Sequence, residues 1–205
     1  MTTTAVVSPL PPARKHGMRF LREFISNPFV IGAIAPSSKG LARKMVEGVD
    51  FANAKAIVEF GPGTGAFTDK ILRRLSPACR YFAIELNPTM ADLWRSRHPG
   101  RTLHQDSVKN VDRLCQKEGI EQVDVIFSGL PWASFDDSLQ IETLEASLRV
   151  LRPGGQLITF GYRVGTMLPK GRRFYKRLPT YFYKVERSEY VWRNLPPAFV
   201  VRCTK

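Results

Sequence analysis

Cysteine is scarce in this chain: Cys79, Cys115 and Cys203 are the only three in 205 residues, widely spaced, with no CxxC pair and no histidine at zinc spacing. That excludes a disulfide scaffold and a cysteine-built metal centre, so no metal is expected and the thiols read as reduced ones in a cytosolic protein. Long apolar runs are missing too. The longest mainly apolar stretch, Phe29 to Pro36, falls far short of the ~20 residues a bilayer span requires, and the uncharged start Met1-Thr2-Thr3-Thr4 is not a signal peptide. Acidic residues are in deficit, 18 against 31 Lys and Arg, which leaves +13 and favours a polyanionic partner, either nucleic acid or an anionic lipid surface. What is plentiful is apolar mass: 43% hydrophobic residues with 13 Phe and 3 Trp support a real core and exclude wholesale disorder. The length suits one compact domain with a short accessory element, not two enzymatic domains.

Residues 1–12 carry three prolines and no charge, which predicts a flexible leader. Residues 13–36 form a second unit. RKHGMRFLREFIS at 14–26 has helical period, with Phe20, Leu21, Phe24 and Ile25 on one side and Lys15, Arg19 and Arg22 on the other; Asn27-Pro28 then breaks it. Ser37 or Ser38 caps the next helix, which runs to Gly48 and opens the third unit, 37–205. There, short apolar strands alternate with amphipathic helices: strands at 56–60, 81–85, 102–104, 123–128 and 156–161, and helices at 66–75, 88–97, 108–118 and 138–150, the last closed by Pro153-Gly154-Gly155. This alternation predicts an α/β fold with a mainly parallel sheet and helices on both faces. The tail differs: Val185–Arg193 and Ala198–Cys203 read as a terminal antiparallel hairpin.

Residues 57–68, IVEFGPGTGAFT, place a glycine-rich turn between the first strand of the alternation and its helix, where open α/β sheets bind ligands. Gly61, Gly63 and Gly65 let backbone approach a ligand closely, and Gly61, Gly63 and Ala66 also fit the GxGxxA dinucleotide fingerprint. Glu85, at the end of the second strand, suits the two hydroxyls of a ribose under either reading. Asp106 after the third strand and Ser128-Gly129-Leu130-Pro131-Trp132 after the fourth separate them. With VEFGPGTG, Glu85, Asp106, GLPW and LRPGG at 151–155, the chain resembles the class I S-adenosylmethionine-dependent methyltransferases, which implies their Rossmann-like fold. The resemblance implies Glu59, Gly61, Gly63 and Gly65 at the methionine end of the cofactor, Glu85 on the ribose and Asp106 on the adenine. Ser128 and Leu130 would flank it, and S-adenosylhomocysteine would be the product. Ser37 or Ser38 is a candidate to reach the same cofactor. A glycine turn, a strand-end acid, an N-capping Asp106 or a core Trp132 is commonplace alone; it is the ordered set that points to a site.

Three features bear on the acceptor. In adenine N6-methyltransferases an Asn or Asp starts the tetrapeptide that here begins with Gly129, so the side-chain acceptor for a flat amine is missing, while Trp132 suits a cationic alkylammonium. The helix at 14–26, with Arg14, Lys15, Arg19 and Arg22 beside Phe20, Leu21, Phe24 and Ile25, suits an anionic membrane interface, although most such helices pack on their own domain. Residues 162–184 hold seven basic residues and no acid among six aromatic rings, a basic loop suited to RNA or to phospholipid. Tyr162 is the candidate at the amine and Arg163 at the acceptor's phosphate. None of His16, His98 or His104 lies near a motif, so a histidine base is not expected.

FLREFISNPFVIGAIAPSS at 20–38, together with VEFGPGTGAFT, SGLPW and LRPGG, resembles the bacterial phospholipid N-methyltransferases over the chain after the leader. The resemblance implies successive methylation of phosphatidylethanolamine, through mono- and dimethyl forms, to phosphatidylcholine. It also implies a cytoplasmic enzyme, peripheral on the inner face of the cytoplasmic membrane, with no nucleic-acid partner and monomeric in solution. In that reading Trp132 and Tyr162 are the catalytic-pocket residues. The rival is an rRNA adenine N6-dimethyltransferase, whose first motif is similar and whose partner also accounts for +13. A non-catalytic lipid-binding protein on the same fold is more distant.

Overall fold

The computed structural model describes residues 38–205. The expected leader, the expected helix at 14–26 with every residue proposed for membrane contact, and Ser37 lie outside the described residues. The elements are α1 (Lys39–Val46), β1 (Ala56–Phe60), α2 (Thr68–Leu72), β2 (Arg80–Ile84), α3 (Pro88–Arg97), β3 (Leu103–His104), α4 (Val111–Lys117) and β4 (Val123–Ser128). They continue with α5 (Asp137–Val150), β5 (Leu151–Tyr162), α6 (Pro169–Tyr181), β6 (Lys184–Arg187) and β7 (Ala198–Thr204). Short 3-10 turns at Val108–Asn110, Trp132–Ser134 and Val164–Thr166 join several of them. Helix starts follow side-chain chemistry: Ser38, Asn87 and Asp136 accept from Leu41 N, Met90 N and Leu139 N to cap α1, α3 and α5.

The sheet runs β3-β2-β1-β4-β5-β7-β6. β1 to β5 are parallel; β7 pairs antiparallel with both β5 and β6. The predicted mainly parallel, Rossmann-like α/β fold with an antiparallel end is thus the observed one. Every residue of β1 and β4 is buried, as expected of strands covered on both faces. Alternate residues feed two cores. Val58, Phe60, Ile126 and Leu157 pack with Trp132, Phe174 and Leu178, whereas Ile57, Phe127 and Ile158 pack with Leu41, Met45, Phe67 and Ile71.

Three sequence expectations need correction. The Pro153-Gly154-Gly155 run does not close α5 outside the sheet: β5 begins at Leu151, and the run is an irregularity within it, where the register steps from Val123↔Leu151 to Val125↔Gln156. Gly154 has φ +73°, and Arg152 anchors the bend by donating to Asp124 Oδ1 at 2.6 Å. The expected basic loop at 162–184 is mostly helix. Pro169 supplies a preformed first turn, Phe174 and Leu178 are buried, and Arg173 and Arg177 find in Asp137 of α5 the acid missing from their own segment. The first hairpin strand is shorter than expected: β6 ends at Arg187, and 188–197 form a long connection that stays tied to β7, through hydrogen bonds between Ser188 and Val200 and an isolated bridge, Val191↔Ala198. No helix among the described residues is long and apolar enough to cross a membrane.

Candidate functional site

Sheet order makes β1 and β4 the neighbours at which the connections diverge, so the crevice at their carboxyl ends is the natural ligand position. The glycine turn lies there. Gly61, Gly63 and Gly65 all adopt left-handed φ, +58°, +54° and +83°. Gly61 N donates to Ile84 O at 2.8 Å, tying the turn to β2. A Cβ on Gly61 would meet Leu130 Cδ2 at 2.9 Å, whereas a Cβ on Gly63 would meet nothing within 4 Å. Gly61 is therefore closed against the β4 turn, and Gly63 faces open space.

Glu85 follows β2 and is nearly buried. Its Oε2 accepts from Gly63 N at 3.1 Å and its Oε1 from Asn87 N at 3.0 Å. Burial raises its pKa, and the backbone N–H groups of Asn87, Gly63 and Leu86 oppose the rise. Each carboxylate oxygen retains acceptor capacity for a ribose hydroxyl. Asp106 lies beyond β3. Burial pushes its pKa up, but hydrogen bonds from Asn110 and Ser107 and the Arg113 guanidinium outweigh that, so it stays below the usual aspartate range.

Glu59, inside β1, is fully buried. Its Oε2 accepts from Thr68 Oγ at 2.8 Å and from Tyr81 Oη at 2.5 Å, and Trp94 Nε1 donates to Thr68 at 2.9 Å. Its Oε1 is buried with no hydrogen-bond partner in the described structure. Burial raises the Glu59 pKa to about 7 against the hydrogen bonds of Tyr81 and Thr68. A buried, half-satisfied carboxyl next to the glycine turn fits a cationic amine such as the methionine end of the cofactor. An orphan acid at β1, an open glycine at the turn and a strand-end acid on β2 together suit S-adenosylmethionine.

The segment after β4 shapes the opposite wall. Gly129 N donates to Phe60 O at 2.7 Å, and a Cβ on Gly129 would lie 2.4 Å from Gly61 O. No side chain fits there. The Ser128 hydroxyl is turned inward, accepting from Trp132 Nε1 at 3.1 Å and from Leu130 N at 3.4 Å. Trp132 is buried, also donates to Thr159 Oγ, and stacks on Phe174 with centroids 4.6 Å apart. It backs the wall from inside and does not present an open ring face. Gln140 Nε2 donates to Trp132 O at 2.9 Å and Phe135 O at 3.3 Å, fixing the turn to α5.

Tyr162, at the carboxyl end of β5, lies two strand spacings from β1, roughly 10 Å. A chain of edge-on rings, Phe67–Phe160–Tyr162, joins it to the end of the glycine turn. Burial raises the Tyr162 pKa. Arg163 is exposed, with its guanidinium 5.9 Å from the Trp192 ring. Ser38 caps α1 and donates its N–H to Asn194 Oδ1. Among the described residues no cluster of His, Cys, Asp or Glu could hold a metal ion.

Two features escaped sequence reasoning. Tyr81 reaches Glu59 because Glu59 pairs with Ala83, which puts the residue two before Ala83 on the same face; the signal was a tyrosine at that spacing. His98, expected far from any motif, packs directly beneath Gly65, where a Cβ would come within 2.5 Å of its ring. Its nitrogens face Trp94 O and Asp69 Oδ1, both at 3.1 Å, so it braces the turn and offers no free nitrogen.

Comparison with known proteins agrees with this geometry. A family model described as a methyltransferase domain matches residues 57–155. The chain is 35% identical over 187 residues, 90% of its length and 93% of the relative's, to an ornithine lipid N-methyltransferase of Singulisphaera acidiphila. Among solved structures, an O-methyltransferase from Bacillus cereus in complex with SAH aligns with TM-score 0.66 and 18% identity over 94% of this chain and 93% of that one. The N-methyltransferase NodS from Bradyrhizobium japonicum aligns with TM-score 0.55 and 15% identity over 92% and 98%. These two likenesses bear on the fold.

Proposed function

The chain belongs to the class I S-adenosylmethionine-dependent methyltransferases, in the family of that ornithine lipid N-methyltransferase, and from this premise we propose that it methylates the primary amine of a membrane lipid at the membrane surface. When bound, the cofactor supplies an electrophilic sulfonium methyl. The chain's own residues position and exclude: Glu59 and the glycine turn hold the methionine end, Glu85 the ribose and Asp106 the adenine, while Leu130, backed by Ser128 and Trp132, closes the wall where the amine arrives. Rate enhancement comes chiefly from holding an amine lone pair in line with the methyl.

The observation that carries the acceptor assignment is Gly129. With Gly61 O 2.4 Å from any Cβ, position 129 accepts no carboxamide or carboxylate to grip a flat adenine amine. An sp³ amine needs no such planar partner. The Tyr162 hydroxyl, without a hydrogen-bond partner among the described residues and with a raised pKa, orients that amine as a neutral phenol. The exposed Arg163 guanidinium takes the anionic group beside it, with a geometry suited to phosphate or carboxylate.

The favoured lipid is phosphatidylethanolamine, taken successively to phosphatidylcholine on the cytoplasmic face of the membrane, with the segment at 14–26 as an anchor. The relative's printed activity supports ornithine lipid as the second reading; both headgroups pair a primary amine with a nearby anion. Incubation with labelled donor and vesicles holding both lipids, followed by mass spectrometry of the headgroups, tests the assignment. Mono-, di- and trimethyl phosphatidylethanolamine is the expected series. Label confined to ornithine lipid moves the substrate to the second reading, and label in neither overturns the lipid assignment.

A further inference from the structure

Single exposed apolar side chains are ordinary on a protein surface, but a group of them at one place is not. Five of the eight large hydrophobic residues that stand exposed among the described residues fall in two connections: Val164, Met167 and Leu168 between β5 and α6, and Trp192 and Leu195 between β6 and β7. Met167 and Leu195 are about three-quarters exposed and Trp192 61%. The sheet brings these connections together. β7 runs antiparallel to β5 with Ala198 opposite Tyr162, so the 188–197 segment enters β7 at the edge where β5 leaves. Arg163 N donates to Pro197 O at 2.9 Å, and the Arg163 guanidinium faces the Trp192 ring. This is the carboxyl edge of the parallel strands, the edge that carries the glycine turn and the β4 wall.

The patch is rimmed mainly by cations, with Glu189 the one exposed acid in its two connections. Arg163, Arg172 and Arg193 are exposed beside it, and none of the three is in an ion pair among the described residues. A tryptophan and flexible aliphatic tips among arginines match the depth profile of a bilayer interface, with rings and chains at the acyl boundary and guanidinium groups at anionic headgroups. We propose that the 164–168 and 188–197 connections form a second membrane-contacting surface, distinct from the N-terminal segment, which seats the open edge of the catalytic crevice against an anionic bilayer. The inference rests on the lipid-acceptor reading for its purpose. Such a seating lets an amine headgroup enter the crevice without its acyl chains leaving the membrane.

The chain carries its own reporter. Of its three tryptophans, Trp94 and Trp132 are buried and Trp192 is exposed. The full-length protein is titrated with anionic and with zwitterionic vesicles whose acyl chains are brominated, and tryptophan emission is followed. The expected result is a blue shift and quenching on anionic vesicles, absent in Trp192→Phe. The double variant Met167→Ser/Leu195→Ser is expected to bind such vesicles at least roughly tenfold more weakly, while methylating lipid in detergent micelles at an unchanged rate. Methylation of vesicle lipid by the wild type without Trp192 quenching overturns the surface and leaves the function intact. Quenching without any lipid methylation supports the surface and overturns the functional reading. Emission already shifted in buffer and unaltered by vesicles means that the patch is covered within the protein, which also overturns the proposal.

Discussion

Glu85 and Glu59 share burial beside one turn but differ in what satisfies them. Glu85 is held by two backbone N–H groups and keeps lone pairs for a ligand, so Glu85→Ala removes charge-assisted hydrogen bonds of about 1.5–3 kcal/mol and should weaken cofactor affinity about ten- to a hundredfold, or more if the turn loosens. Isothermal calorimetry reads this directly; unchanged affinity would remove the assignment. Glu59 has an orphan oxygen and a pKa raised from 4.5 to about 7. Between those values the unfolded chain has released this proton and the folded one retains it, so Glu59 lowers stability as pH rises through that window. Glu59→Gln should flatten this loss in denaturation curves of the cofactor-free protein, yet weaken cofactor binding most above pH 7, where the native carboxylate is ionised. Glu85 and the glycines were legible because strand-end position and spacing carry their meaning. Thr68, Tyr81 and Trp94 around Glu59 were not, since their meeting depends on the β1–β2 register and on where α3 packs.

At the scale of elements, charge hid structure. The segment 162–184 looks like a loop when its basic residues are counted, but α6 buries Phe174 and Leu178 and borrows Asp137 from α5. Gly171 lets α6 approach so closely that a Cβ there would lie 2.0 Å from Gly165 O, a contact between elements that no local pattern announces. LRPGG was misread because proline and glycine usually mark helix ends, and here they make an irregularity inside a strand instead. The Gln140 amide joins α5 to the β4 turn through Trp132 O and Phe135 O. Gln140→Leu would strand buried carbonyls and should cost about 1–3 kcal/mol of stability in urea unfolding. An unchanged midpoint would show that the turn is held without it.

Strand–helix alternation sufficed to anticipate the sheet of the whole molecule, because parallel neighbours require crossovers and crossovers have one hand. It did not reveal that the terminal connection returns to the crevice edge, which depends on β7 inserting between β5 and β6. The net charge of +13 acts at this scale as well. Raising salt from 0.1 to 1 M shortens the screening length from about 10 to about 3 Å, so sedimentation with anionic vesicles should fall steeply while calorimetric cofactor affinity holds. Equal sensitivity of both would place the basic surface at the cofactor and not at the membrane. The most direct test of the account is a single-turnover reaction with labelled S-adenosylmethionine, comparing wild type and Glu85→Ala on vesicles of phosphatidylethanolamine with an anionic lipid, beside a parallel reaction on ribosomal RNA. The account predicts label in the lipid amine with the wild type and its loss in the variant. Label in RNA alone, or lipid label undiminished in the variant, would contradict it.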